Sequence, residues 1–300
     1  MPELNIPQRL RFKICWLVLL ALPYALTAEE NTEPKPVAPG YRPLLELELA
    51  GHKAALILPE DTSAFPGPIP LVVFSGGAGS RGYRPQTAIM LAQAFSEMPL
   101  QPAILTSRYR HHISPGADGG VELLEAVDAA AEQFGTSRGF FLTGSSRGAQ
   151  FTHRFVFHAA PQRVFAAATC NAGGYSLPQG GTLGRQASYK VGDPRPDNRK
   201  DWSHEEWDAH LQPALPEART VPFLVLCTTG DTSRLPIAIE FAQHLKEQGW
   251  EHLETSFDIP GGHSFRAGPA ERVAQFFTEM TIRAMKEDED DDEDGDKDGE

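Results

Sequence analysis

The stretch "FFLTGSSRGAQF", Phe140 to Phe151, decides how the rest of the chain is read. It begins as an apolar run, passes through two adjacent serines, and ends amphipathic. Gly144–Ser145–Ser146–Arg147–Gly148 fits the pattern G-x-S-x-G. Where a strand turns directly into a helix, the central residue is forced toward positive φ and its neighbours two positions away are crowded. Glycine at 144 and 148 meets that demand and places Ser146, rather than Ser145, at the apex. The competing reading is a small-residue loop with no chemistry. The choice rests on what the rest of the chain supplies.

A serine hydroxyl becomes a nucleophile only when a base takes its proton and a third group orients that base. For this strand-turn-helix the partners are expected in the order Ser, acid, His, with the acid after a later strand and the His after the last one. Asp231 directly follows "PFLVLCTTG" (Pro222–Gly230), and His263 follows "FDIPGG" (Phe257–Gly262) just before the terminal helical pattern. The three are separated by 85 and 32 residues, so nothing local forces the agreement. Asp193, Asp197 and Asp208 are rival acids, and Asp231 also suits an N-cap. A developing oxyanion needs two backbone N–H donors. Arg147 offers one at the start of its helix, and Gly77 in "FSGGAGS" (Phe74–Ser80) is the favoured second. No G-K-[ST] follows that glycine-rich loop, which argues against a phosphate cradle.

Around these residues, short apolar runs alternate with helical patterns. "LLELELA" (Leu44–Ala50) and "KAALILP" (Lys53–Pro59) read as an antiparallel hairpin. Pro70–Gly77, Pro102–Ser107, Gly139–Gly144, Val164–Cys170, Pro222–Gly230 and Leu253–Pro260 read as buried strands. Helices are expected over Gln86–Glu97, Val121–Gln133, Arg147–Ala159, Leu235–Gln248 and Pro269–Met285. The fold class is therefore α/β: about eight strands in one mostly parallel sheet, with helices on both faces. Residues 171–220 break the alternation, with six glycines and five prolines in fifty positions. They are expected to form a cap inserted after the sixth strand, over the carboxyl end of the sheet where such folds bind ligands. Trp202 and Trp207 in that segment are candidates for a substrate wall.

Charge and termini bound the remaining possibilities. The net charge of −13 is dominated by residues 287–300, which hold eleven acids and one lysine. No basic patch is present, so nucleic acid is not expected as a partner. Arg9, Arg11 and Lys13 precede the apolar run Ile14–Ala28, the layout of a secretory signal over residues 1–28 and too short for a comfortable membrane span. Residues 29–42 read as a Pro-rich linker, 43–286 as the folded domain, and 287–300 as a disordered acidic tail. After signal cleavage the protein is expected outside the cytoplasm, with no membrane association. Cys170 and Cys227 read as buried free thiols rather than a disulfide framework. His204 and Asp208 share a helical face without a third ligand, and the tail's D-x-D-x-D-G ends before a calcium-loop Glu. No metal and no cofactor are expected. His153 and His158 read as packed or solvated, and His111–His112 as a polar loop.

"GSSRGAQFTHRF", "NAGGYSLP" and "IPGGHSF" together resemble the α/β-hydrolase superfamily over about Leu44 to Met285. They look most like exported esterases of the polyhydroxybutyrate-depolymerase and feruloyl-esterase-like kind. The resemblance implies Ser146, Asp231 and His263 as a catalytic triad, oxyanion donors at Gly77 and Arg147, and a small-molecule or polymer ester as substrate. Ser75 stands where such enzymes usually carry His before the oxyanion glycine. The alternatives are a peptidase on the same triad, or a non-catalytic saccharide or polymer binder using the two tryptophans.

Overall fold

A computed structural model describes residues 36–63, 65, 67–77, 82–109, 118–184 and 213–294. The described residues all belong to one compact unit. The segment 1–28 expected as a signal, and His111–His112, Asp193, Asp197, Trp202, His204, Trp207, Asp208 and His210, lie outside the described residues.

The strands are β1 (Leu45–Leu49), β2 (His52–Ile57), β3 (Ile69–Ser75), β4 (Ala103–Ser107), β5 (Thr136–Ser145), β6 (Val164–Cys170), β7 (Gly174–Ser176), β8 (Thr182–Gly184), β9 (Phe223–Leu226) and β10 (Leu253–Ser256). Among the described residues the α-helices are α1 (Pro85–Phe95), α2 (Asp118–Phe134), α3 (Arg147–His158), α4 (Leu235–Glu247) and α5 (Ala267–Asp294). Eight strands form one sheet in the order β1-β2-β4-β3-β5-β6-β9-β10, parallel except where β2 runs against β1 and β4. The β1–β2 turn places Ala50 and Gly51 at positive φ, a geometry that closes a two-residue hairpin. On the edge strand β1 the exposed Glu46 and Glu48 oppose pairing with another chain.

Strand alternation divides the core in two. Leu71, Val73, Leu142 and Val225 face the side covered by α2, α3 and α4, packed with Val127, Phe151, Phe155 and Phe241. Val72, Phe74, Phe141 and Leu224 face the side covered by α1 and α5, packed with Leu91, Phe95, Val273 and Phe277. Both faces of the central strands are thus shut off from water, which explains their unbroken apolar runs. Cys170 belongs to the α1/α5 face and Cys227 to the α2/α3/α4 face. The sheet itself separates the two thiols, and both are free and buried.

The insertion after β6 begins inside the core. Its first residues form a small ribbon, β7 paired with β8, and Tyr175 is fully buried. The Tyr175 ring stacks on Phe241 of α4 at 3.9 Å. At the C-terminus α5 runs to Asp294, beyond the Lys286 at which the sequence reading ended the domain. A helix already nucleated and packed over its first turns extends at little cost. Among the described residues, no helix is long and apolar enough to cross a membrane.

Candidate active site

Five neighbouring parallel strands, β3, β5, β6, β9 and β10, deliver one loop each to the same edge of the sheet. β5 ends at Ser145, and Ser146 turns the chain into α3 with φ 56 and ψ −116. A non-glycine residue there is strained by about 1–3 kcal/mol, tolerated when surrounding contacts enforce it. The contacts are visible. A Cβ added at Gly144 would meet backbone atoms of Gly148 at 2.5 Å, and one added at Gly148 would meet the Ser75 carbonyl oxygen at 2.0 Å. The turn is therefore compressed between its own helix and the end of β3, as the spacing of the two glycines predicts.

The structure brings Ser146, Asp231 and His263 together. His263 Nε2 lies 3.0 Å from Ser146 Oγ, and Nδ1 lies 2.8 Å from Asp231 Oδ2. A carboxylate only accepts, so Nδ1 carries the proton and Nε2 faces the serine hydroxyl as an acceptor. Asp231 is buried, with 5% of its surface exposed, and its other oxygen accepts from Arg234 at 3.0 Å and from Ser233 at 3.3 Å. The side chain caps no helix: α4 begins after Arg234 without a side-chain cap. The alternative role of Asp231 as an N-cap is not seen, since its carboxylate turns toward His263 and leaves only its carbonyl to the first helical turn.

The loops carrying the acid and the histidine are zipped to each other. Thr229 N–H donates to Ile259 O at 2.9 Å, and Gly230 N–H donates to Gly261 O at 2.7 Å. A Cβ at Gly230 would meet Gly261 O at 2.5 Å, so only glycine permits this approach. Gly77 lies directly over the serine: a Cβ there would stand 3.3 Å from Ser146 Cβ and 3.8 Å from Ser146 Oγ. Arg147 is the first residue of α3, so the positive end of that helix sits beside the hydroxyl.

One residue to which the sequence assigns no role joins these loops. Asn171, directly after β6, is fully buried with φ 52. Its Oδ1 accepts the Thr228 N–H at 2.9 Å, which fixes the amide's orientation. Its Nδ2 donates to His263 O at 3.2 Å and Gly262 O at 3.4 Å. The available signal was an asparagine between a buried strand and a Gly-Gly pair, since Asn tolerates the left-handed region better than most residues.

His153 and His158 lie away from this centre. His153 is fully buried on α3, its Nε2 accepting the Ser176 N–H at 2.8 Å, so its Nδ1–H donates to Ala149 O at 3.0 Å. Burial, reinforced by Arg154, holds its pKa well below the ordinary value. It ties the start of the insertion to the helix behind Ser146. Among the described residues no group of three or more His, Cys, Asp or Glu side chains is placed to hold a metal ion.

No protein-family model matches the chain, and no curated protein matches it by sequence. Solved structures do match by shape. An S-formylglutathione hydrolase from Staphylococcus aureus superposes with a TM-score of 0.54 at 16% identity, covering 80% of this chain and 98% of the other. A substrate-bound fluorophosphonate-binding serine hydrolase from the same organism gives 0.54 at 17% identity, covering 80% and 97%. An acylaminoacyl peptidase from Pyrococcus horikoshii gives 0.53 at 17% identity, covering 80% of this chain but 41% of its own. At such identities the likeness is one of fold. Sheet order, helices on both faces and these neighbours together show that this chain has the α/β-hydrolase fold.

Proposed function

We propose that this protein is a metal-independent serine hydrolase that cleaves carboxylic esters through an acyl-enzyme. The observation that carries the reading is the continuous hydrogen-bond line from Ser146 Oγ through His263 to the buried Asp231 carboxylate. In the first step Ser146 Oγ attacks the ester carbonyl while His263 Nε2 takes the hydroxyl proton. Asp231 holds the Nδ1–H tautomer and stabilises the imidazolium. The oxyanion is held by the backbone N–H groups of Gly77 and Arg147. Collapse expels the alkoxide, which leaves as alcohol with the proton from His263. Water, deprotonated by the same imidazole, then releases the acid and restores Ser146.

The neighbours described as S-formylglutathione hydrolase and serine hydrolase support acyl transfer on this fold. The peptidase neighbour keeps amide cleavage as the second reading, although this chain spans less than half of that protein. The motifs "NAGGYSLP" and "IPGGHSF" favour the exported polyhydroxybutyrate-depolymerase and feruloyl-esterase-like kind. Export through cleavage after Ala28, and a substrate wall at Trp202 and Trp207, belong to the same proposal.

A fluorophosphonate probe is expected to label the wild type and not Ser146→Ala. Asp231→Asn is expected to lower kcat by about 10⁴-fold by presenting the wrong tautomer. Turnover of p-nitrophenyl acyl esters with aminoacyl anilides untouched supports esterase over peptidase, and the opposite preference overturns it. Equal labelling of the wild type and Ser146→Ala removes the reading altogether.

A further inference from the structure

The three loops of the Ser146–His263–Asp231 line come from strands far apart in sequence, and all three meet at the carboxyl end of β6. The carbonyl oxygen of Cys170 accepts the Ser146 N–H at 2.9 Å, which anchors the serine turn. The next residue, Asn171, binds the other two. Its Oδ1 holds Thr228, whose own carbonyl accepts the Asp231 N–H at 3.1 Å, so the acid's turn is fastened through one residue. Its Nδ2 faces the carbonyl oxygens of Gly262 and His263, the latter belonging to the imidazole-bearing residue itself. Thr228 Oγ1 closes the ring by donating to Gly262 O at 2.8 Å.

The imidazole needs this support. His263 is carried on the loop after β10, which includes Gly261 at φ 140, and 41% of its side-chain surface is exposed. Exposed loops on glycine hinges sample many positions, whereas acyl transfer requires the base to hold its place between hydroxyl and carboxylate. Asn171 is a short, fully buried, left-handed residue at the end of a packed strand, whereas the loop it holds is exposed. The side-chain chemistry also matches: one acceptor for a backbone N–H and two donors for two backbone carbonyls. Neither Asp nor Leu supplies both.

We propose that Asn171 is a positioning residue for catalysis, clamping the His263 loop to the Asp231 turn from the end of β6. It touches neither substrate nor the reacting atoms. The proposal rests on the serine-hydrolase reading above, and the experiment separates the two.

Four proteins are compared on a p-nitrophenyl ester: wild type, Ser146→Ala, Asn171→Gly and Asn171→Asp. Glycine keeps the left-handed backbone and deletes the clamp. Aspartate keeps the acceptor for Thr228 and replaces the donors with an oxygen facing two carbonyls. Turnover is expressed per site titratable by the phosphonate, so loss of folded protein does not count as loss of catalysis. The expected result for Asn171→Gly is a kcat per titrated site lower by about 10²-fold, the cost of a misplaced catalytic group. KM is expected to change by less than about threefold, since the residue lies outside the binding surface. Asn171→Asp is expected to lose about tenfold or more, and it carries the test if the glycine variant does not fold. A low-field proton resonance from His263 Nδ1–H is expected in the wild type, and it is expected to broaden in both variants.

An active Ser146→Ala removes the reading on which the clamp depends. An inactive Ser146→Ala with wild-type kcat per titrated site in both Asn171 variants overturns the clamp alone. So does a loss that vanishes once turnover is divided by the titratable fraction, because the residue would then serve stability only.

Discussion

Gly148 and Ser75 touch backbone to backbone: a Cβ at position 148 would stand 2.0 Å from the Ser75 carbonyl oxygen and 2.7 Å from that of Gly76. Neither oxygen is at the end of a flexible side chain, so the obstacle cannot swing away. This contact presses the loop after β3 against the serine turn and brings Gly77 over Ser146.

Gly148→Ala is therefore expected to destabilise the fold by about 3 kcal/mol or more and to remove ester turnover, as overpacking at a site unable to relax. Gly262→Ala is the matched control, because a Cβ there meets nothing within 4 Å. Urea unfolding of both variants checks the pair. A stable, active Gly148→Ala would mean that the serine turn is looser than the 2.0 Å approach requires.

Ser146 bears its strain for the sake of its position. At φ 56 and ψ −116 a glycine is comfortable and a residue with Cβ is not. Ser146→Gly is expected to exceed Ser146→Ala in stability by about 1 kcal/mol, with both inactive. Thermal unfolding of the two proteins side by side measures it, and equal midpoints would show the turn to be unstrained.

Acid is expected to weaken the fold through the helix behind Ser146. Burial and Arg154 push His158 down to about 4 and His153 well below its ordinary value. Both groups are depressed, so the unfolded chain binds protons that the folded chain refuses. Their stabilisation is fully present above about pH 6.5 and is lost as pH falls through that value toward the folded pKa. Each contributes a slope of up to about 1.4 kcal/mol per pH unit in that window. Urea midpoints between pH 7.5 and 5 are expected to fall less steeply in His158→Gln than in the wild type. An identical slope would place the acid sensitivity elsewhere.

The two thiols lie on opposite faces of the sheet, and both are free and buried. Burial pushes Cys170 well above its ordinary value and Cys227 up to about 12, so both stay protonated at neutral pH. Alkylation of the folded protein is expected to spare both, and alkylation after unfolding without reductant is expected to modify both. A disulfide-linked pair of peptides in the mass spectrum would contradict the face assignment.

Much of the site could be read in the sequence because its rules are local. The glycines at 144 and 148 follow from steric crowding in a strand-to-helix turn, and the strand runs follow from burial on both faces. The slots for Asp231 and His263 follow from the order of those strands. Asn171 was not legible, because its partners at Thr228 and Gly262 are 57 and 91 residues away. No periodicity or spacing marks such a contact. Nor does the sequence show that the insertion begins by burying Tyr175 against Phe241, because those two residues are brought together only by the packing of α4 beside the sheet.

Short-range sterics and hydrophobic periodicity already encode an alternating α/β chain, a serine at a forced turn, and an acid and a histidine after later strands. Which groups touch depends on how the strands assemble. The sheet order β3-β5-β6-β9-β10 sets Asp231 2.8 Å from His263, makes the end of β6 the junction of three loops, and parts the two cysteines. Those outcomes depend on which strands become neighbours, and strand neighbours are chosen by the packing of the whole core rather than by any segment of it.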